Sequence, residues 1–313
     1  MLQRPEPDSD TEASSGEDRT AAPPAARRPG LGLIGAGAFG TFCVPHLRDR
    51  FEIRLADPRP DLGDVAARLG VAAADTEAAA AQDIVVLAVP WRSLAPLASR
   101  IGPLLKPGTL VVEVCSIKMK PLAVLAGCLP GSVDIVGTHP LFGPQSGRHG
   151  IAGLNVVVCT PPGRPGPRAE RAARRVAGLL RSLGLSVIRT GADEHDRQMA
   201  YVQGLTHAIA RAIAALEVPP LDMTTATWRH LMRMADMVGG DSDDLFRTIT
   251  RDNPHAAAVR ERFAAALAGR CAPGGGLHAA SGRSAAAERQ PPPAATAGKE
   301  TAADAAGGRH PAQ

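Results

Sequence analysis

The segment that most limits what this chain can fold into is Leu31-Gly32-Leu33-Ile34-Gly35-Ala36-Gly37-Ala38-Phe39-Gly40. Residues 31–34 read as a short apolar strand. Three glycines at G-x-G-x-x-G spacing follow, and a helical pattern covers 38–50, with Pro45 near its start or kinking it. The first glycine permits a tight turn, the second lets a pyrophosphate approach the backbone, and the third lets the helix pack on the strand. A helix that starts there also offers free N–H groups and a partial positive charge to an anion. The glycine triplet alone is a weak signal, but its surroundings strengthen it. A second strand, 51–56, ends at Asp57, where a ribose-binding acid belongs. The expected dinucleotide site is Gly35, Gly37, Ala38, Phe39, Gly40 and Asp57. Asp57 favours NAD, because a carboxylate accepts the adenosine ribose hydroxyls and repels a 2′-phosphate. Arg54 and Arg59 keep NADP open.

Beyond this unit the pattern alternates. Short apolar runs at 84–89, 110–114, 133–136, 155–159 and 185–188 are separated by helical patterns at 94–101, 121–128 and 168–182. Two further helices are expected at 61–70 and 75–81. Wholly apolar strands interleaved with helices specify a parallel sheet covered on both faces. After Gly191 the strands stop, and 193–217, 221–238, 241–250 and 254–268 read as helices. The helix at 221–238 would bury Leu221, Trp228, Leu231, Ala235 and Val238. The expected fold is therefore α/β: a Rossmann-type doubly wound parallel sheet (30–190) followed by an all-helical domain (191–270). Residues 1–29 and 271–313 lack the large apolar side chains needed to offset their ordering entropy, and read as disordered tails.

Composition removes several function classes. The net charge is +4 and aromatic residues are only 3% of 313, too few for stacking platforms that hold single-stranded nucleic acid. The arginines at 168, 171, 174, 175 and 181 read as a solvated helix face. The five cysteines show no paired ligand spacing, and no histidine–carboxylate set does either, so no metal is expected. No segment resembles a signal peptide or an apolar span of about 18 residues. A cytoplasmic protein with no membrane or nucleic-acid partner is the expectation.

The chemistry is expected at the carboxyl ends of the strands, where open α/β sheets bind ligands. Val89 and Pro90 close one strand and join the cofactor set. Ser116 follows another. The run 133–136 leads into Gly137-Thr138-His139-Pro140-Leu141-Phe142-Gly143-Pro144. His139 stands at a strand's carboxyl edge, and a neutral imidazole there suits a general base. His207, in Gln203-Gly204-Leu205-Thr206-His207, lies mid-helix, where a histidine is more often core or surface. His46, His149, His195, His230 and His255 carry no independent signal.

Taken in order, the glycine turn, Ser116-Ile117-Lys118, Thr138-His139-Pro140-Leu141-Phe142-Gly143-Pro144-x-Ser146-Gly147, Glu194-His195-Asp196 and Gln203-Gly204-Leu205-Thr206-His207 resemble the prephenate/arogenate dehydrogenase family of tyrosine biosynthesis. The resemblance covers about residues 30–268 and implies NAD(P)-dependent oxidative decarboxylation of a cyclohexadienol. It implies that His139 is the base and that Ser116 positions His139 or the substrate hydroxyl. It implies that His207 and Gln203 contact the small-molecule substrate. A family arginine on the helical domain grips a substrate carboxylate. Arg233 is the best match, with Arg229 one turn away. The helical domain would also make a homodimer. Asp241 resembles an acidic position in forms that take arogenate, so arogenate stands beside prephenate. A hydroxyacid dehydrogenase or imine reductase would rely on a lysine in the helical half, yet none lies between Lys120 and Lys299. A non-enzymatic NAD sensor would not need Ser116, His139 and His207 together. A 4-amino analogue of prephenate has no hydroxyl proton to give to His139.

Overall fold

The computed structural model describes residues 28–271. The expected tails lie almost wholly outside the described residues. The first part of the chain runs β1 (Gly30–Ile34), α1 (Ala38–Leu47), β2 (Glu52–Ala56), α2 (Leu62–Leu69), β3 (Ala72–Ala73), α3 (Thr76–Ala80), β4 (Ile84–Leu87), α4 (Leu94–Ile101), β5 (Leu110–Glu113), α5 (Met119–Cys128) and β6 (Asp134–Pro140). It continues with β7 (Asn155–Cys159), α6 (Pro167–Ser182) and β8 (Ser186–Arg189). The eight strands form one sheet in the order β3-β2-β1-β4-β5-β6-β7-β8.

The strands are apolar on both sides because both faces of the sheet are covered. Ile34, Leu87 and Val111 pack with Leu94 and Ile101 of α4 and Leu122 and Leu125 of α5. On the other face Leu31, Leu33, Val112 and Val136 pack with Val44 of α1, Val65 of α2 and Val176 of α6.

Three strands depart from the sequence reading. β7 runs antiparallel to β6, with His139 opposite Val157, and β8 is parallel to β7. A parallel return needs a crossover, usually a helix. Residues 141–154, which join β6 to β7, hold no helix, so the strand can only turn back. β3 is two alanines long, too short for an apolar run to reveal.

The parallel strands end level with one another. Ile34 of β1 pairs with Leu87, Leu87 with Glu113, and Glu113 with Gly137 of β6. The glycine turn after β1 and His139 on β6 therefore lie at one edge of the sheet. Three strand spacings separate them, roughly 14 Å.

Among the described residues from Ala192 on, every element is helical: α7 (Ala192–Met199), a π turn (Ala200–Leu205), α8 (Thr206–Ala214), α9 (Ala226–Gly239), α10 (Asp243–Arg247), a second π turn (Thr248–Asp252) and α11 (Ala256–Cys271). The helix expected from residue 221 begins only at Ala226. The Thr225 hydroxyl accepts the Trp228 N–H at 3.1 Å and caps it. Leu221 and Leu231, expected in its apolar face, are exposed, and only Ala235 and Val238 are buried there.

Candidate active site

The glycine turn is shaped by what a side chain would strike. Gly35 has φ +111°, and a Cβ there would lie 2.2 Å from the Ala88 carbonyl oxygen. A Cβ on Gly40 would lie 2.0 Å from the Gly35 oxygen, so α1 can approach β1 only without one. Gly37 is exposed and no side chain caps α1, which leaves its first N–H groups open to an anion. Asp57 is half-buried and braces the turn. Its Oδ2 accepts the Ala36 N–H at 2.7 Å and its Oδ1 the Arg59 N–H at 3.0 Å. Each oxygen keeps a lone pair for a ribose hydroxyl. The Arg59 guanidinium donates to Ala36 O at 3.1 Å and chelates Asp61 at 2.6 and 2.8 Å. The half-buried Val89 and exposed Pro90 follow β4 at the same edge.

His139 is buried, and both of its ring nitrogens are engaged. Nδ1 lies 2.9 Å from His195 Nε2, and Nε2 lies 3.3 Å from Gln203 Nε2. His195 Nδ1 in turn lies 2.8 Å from Asp196 Oδ1. The Asp196 side chain is fully buried, and its oxygens also accept the N–H groups of Lys118 at 2.7 Å and Met119 at 3.0 Å. Donor–acceptor balance then fixes the tautomers. Asp196 accepts only, so His195 carries its proton on Nδ1. His195 Nε2 is left as an acceptor, so His139 carries its proton on Nδ1. The lone pair of His139 is therefore on Nε2, where the Gln203 amide donates to it. Burial holds His139 well below the usual imidazole range, with His195 and Lys118 adding to the shift. Burial also lowers His195, although its bond to Asp196 opposes the change.

A buried ion pair fixes this arrangement from behind. Lys118 Nζ meets the Glu113 carboxylate and donates to Thr138 O at 2.6 Å, and neither charged side chain is exposed. Glu113 Oε2 accepts the Cys115 N–H at 2.8 Å. Burial pushes the Glu113 carboxyl up, and Lys118 pulls against that. Gly137 makes room, since a Cβ there would sit 2.7 Å from Glu113 Oε1. Lys118 thus holds Thr138, next to the base, through its side chain, and Asp196 through its backbone.

Gln203 lies in the first π turn, a feature that recurs at functional sites. Its Oε1 is buried and has no hydrogen-bond partner among the described residues. One turn on, His207 donates from Nδ1 to Gln203 O at 2.8 Å, and its Nε2 lies 3.0 Å from Asp241 Oδ2. The second π turn carries Asp252, which accepts from Trp91 Nε1 at 2.9 Å and pairs with Arg92 at 2.6 Å. This ties the loop after β4 to the helical half.

A family model described as prephenate dehydrogenase, nucleotide-binding domain, matches residues 48–176. Arogenate dehydrogenase 1, chloroplastic, of Arabidopsis thaliana is 28% identical over 237 residues, covering 74% of this chain and 37% of that protein. Arogenate dehydrogenase 2 of the same plant is 28% identical over 239 residues, covering 74% and 66%. Over these residues the chain is similar to the prephenate/arogenate dehydrogenase family. It spans less than two thirds of either plant relative. In fold it is similar to the crystal structure of prephenate dehydrogenase from A. aeolicus in complex with hydroxyphenyl propionate and NAD+. That match has TM-score 0.64 and 20% identity, and covers 79% of this chain and 90% of the other.

The residues that the family resemblance singled out do not all converge. His139, Gln203 and His207 form one connected set. Ser116 follows β5 at the same edge, half-buried, but makes no hydrogen bond to His139, whose nitrogens go to His195 and Gln203. Arg229 and Arg233 are exposed on α9. Arg229 reaches only the Thr224 hydroxyl at 3.5 Å, and Arg233 has no polar partner among the described residues. Asp241, singled out as a mark of arogenate forms, is engaged by His207. The sequence reading gave no role to His195, Asp196, Glu113 or Lys118. A faint signal existed for Lys118, a charged residue between the apolar Ile117 and Met119.

Proposed function

We propose that this chain catalyses NAD(P)-dependent oxidative decarboxylation of prephenate or arogenate. The observation that carries the reading is the His139–His195–Asp196 chain, which leaves a lone pair on His139 Nε2 at the sheet edge that bears the glycine turn. NAD suits that turn: Gly35 and Gly40 exclude side chains, α1 is uncapped, and Asp57 has lone pairs for the ribose. When bound, the nicotinamide supplies the acceptor for the hydride from ring C4 of the substrate.

The protein supplies the proton acceptor. As the C4–H pair leaves, the C4 hydroxyl oxygen becomes a carbonyl oxygen and its proton passes to His139 Nε2. The resulting imidazolium keeps its Nδ1–H on His195, whose own Nδ1–H points at Asp196, so the positive charge forms one imidazole away from a buried carboxyl group. Loss of the ring carboxylate as CO2 then returns its bonding electrons to the ring, the carbonyl regains a proton, and the phenol forms. Prephenate would give 4-hydroxyphenylpyruvate and arogenate would give tyrosine.

In this reading residues 30–190 form the dinucleotide-binding domain and residues 191–270 the helical substrate and dimerisation domain. His207 faces the substrate, and Ser116 contacts the reacting hydroxyl rather than His139. Arg233, with Arg229 one turn away, anchors a substrate carboxylate. A homodimer is supported by the helical half, which buries only small clusters and exposes Leu216, Leu221, Met223 and Met237. No described helix is long and apolar enough to cross a membrane. The free thiols of Cys43, Cys115, Cys128 and Cys159 fit a cytoplasmic setting, and burial pushes Cys43 and Cys159 up to about 12.

Replacing His139 by Asn tests the assignment. The variant should lose about 10²–10⁴-fold in kcat and keep its affinity for NAD. Turnover like that of the wild type would remove His139 as the base.

A further inference from the structure

We infer that Gln203 is the positioning residue for the reacting hydroxyl, holding its oxygen through the amide N–H that caps His139 Nε2 in the free protein. The inference rests on the dehydrogenase reading of the site and gives Gln203, so far only a substrate contact implied by the resemblance, a specific role at the reacting oxygen. Three observations support it. The Gln203 Nε2 to His139 Nε2 contact is 3.3 Å, long for an N–H bond to nitrogen and easily given up to a better ligand. The substrate hydroxyl must reach the same Nε2 lone pair, so it must arrive between His139 and Gln203. Finally, Gln203 Oε1 is buried with no donor, while the rest of the cluster is paired. A buried carboxamide with half of its capacity unused is arranged for a ligand rather than for the protein alone.

With substrate in place, the hydroxyl donates its proton to His139 Nε2 and its oxygen receives the Gln203 N–H. That bond strengthens as the oxygen becomes a carbonyl oxygen, so Gln203 acts on the step itself more than on binding. Oε1 is then free to accept a second donor brought by the ligand. The charged and titratable groups around His139 are His195 and Asp196 from α7 and Glu113 and Lys118 from the β5–α5 segment. Gln203 is the neutral contact among them.

The test compares two ligands that differ by one hydroxyl. With NAD saturating, 3-(4-hydroxyphenyl)propionate and 3-phenylpropionate are titrated into wild type and Gln203→Met. The wild type should prefer the hydroxyl compound at least tenfold. The variant should bind 3-phenylpropionate within twofold of wild type and narrow the preference to threefold or less. It should also lose at least tenfold in kcat with little change in substrate KM. Gln203→Glu gives a second readout: a carboxylate facing His139 Nε2 favours the imidazolium, so the acid limb of kcat/KM should move up by at least one pH unit. An unchanged hydroxyl preference in Gln203→Met, an equal loss for both ligands, or an unmoved acid limb in Gln203→Glu would each overturn the assignment. If the wild type binds neither ligand and oxidises neither prephenate nor arogenate, the dehydrogenase reading itself falls and Gln203 with it.

Discussion

Asp196→Asn is the sharpest perturbation of the base, although Asp196 does not touch it. Asp196 Oδ1 takes the Lys118 N–H and His195 Nδ1, and Oδ2 takes the Met119 N–H. Asparagine keeps the shape and replaces one oxygen by NH2. If its oxygen replaces Oδ1, the NH2 faces the Met119 N–H, two donors in contact. If its oxygen replaces Oδ2, the NH2 faces the Lys118 N–H and drives His195 to accept at Nδ1. His195 then donates from Nε2, His139 must accept at Nδ1, and its proton moves to Nε2. The lone pair the reaction needs is gone. Either arrangement leaves a buried group mispaired, a stability cost of about 1–3 kcal/mol. Reversing a base tautomer through a buried Asp→Asn change costs about 10⁴-fold in a serine-protease triad. Here the first arrangement keeps the tautomer and loses only the carboxylate's charge, so the expected loss in kcat is about 10²–10⁴, with NAD affinity within threefold of wild type. Steady-state kinetics at pH 8, with thermal melts to confirm folding, would measure both. A folded Asp196→Asn protein with kcat within threefold of wild type would refute the claim that Asp196 acts on the base through His195, whether by its charge or by the tautomer it sets.

Further expectations concern pH, cofactor choice and the carboxylate anchor. His139 and His195 both titrate below the ordinary 6.5, chiefly because of burial. The unfolded chain therefore binds more protons as pH falls through that value. Their contribution to stability is present above about pH 6.5 and lost below it, which acid titration of the melting temperature would show. The same depression keeps His139 neutral at pH 7, so kcat/KM should show no His139 limb above pH 6.5. Asp57→Ser should narrow or reverse a preference for NAD over NADP. A wild type that already favours NADP would mean that Arg59, which bridges Ala36 and Asp61, overrides Asp57. Arg233→Ala should raise substrate KM at least tenfold, worth about 2–4 kcal/mol, with NAD KM unchanged. The same effect in Arg229→Ala instead would move the anchor by one helical turn.

Short-range patterns made the framework legible in the sequence. The glycine spacing, wholly apolar strands and Asp57 depend on residues close in the chain, and they located β1, α1 and β2 correctly. The direction of β7 was harder, because it depends on the absence of a helix between residues 141 and 154 rather than on β7 itself. The start of α9 was misplaced because the apolar spacing of Leu221 looked helical, whereas the Thr225 hydroxyl decides where the helix begins. At the site, His139 stood out because a strand edge can be read locally. His195 and Asp196 did not, because their role arises only when α7 folds onto residues 77 or more positions earlier, at Lys118 and Met119. Glu113 and Lys118 were hidden for a similar reason: each is a charged residue in an apolar setting, and only the folded pair explains it.

The central claim is tested most directly by incubating the wild-type protein with NAD or NADP and either prephenate or arogenate, while following reduced nicotinamide and CO2 together. The account predicts that at least one substrate gives the two products in a one-to-one ratio, with formation of the corresponding phenol. Reduction without CO2 would show a hydride transfer uncoupled from decarboxylation. Absence of reduction with both substrates and both cofactors would contradict the assignment of His139 Nε2 as the base of this reaction.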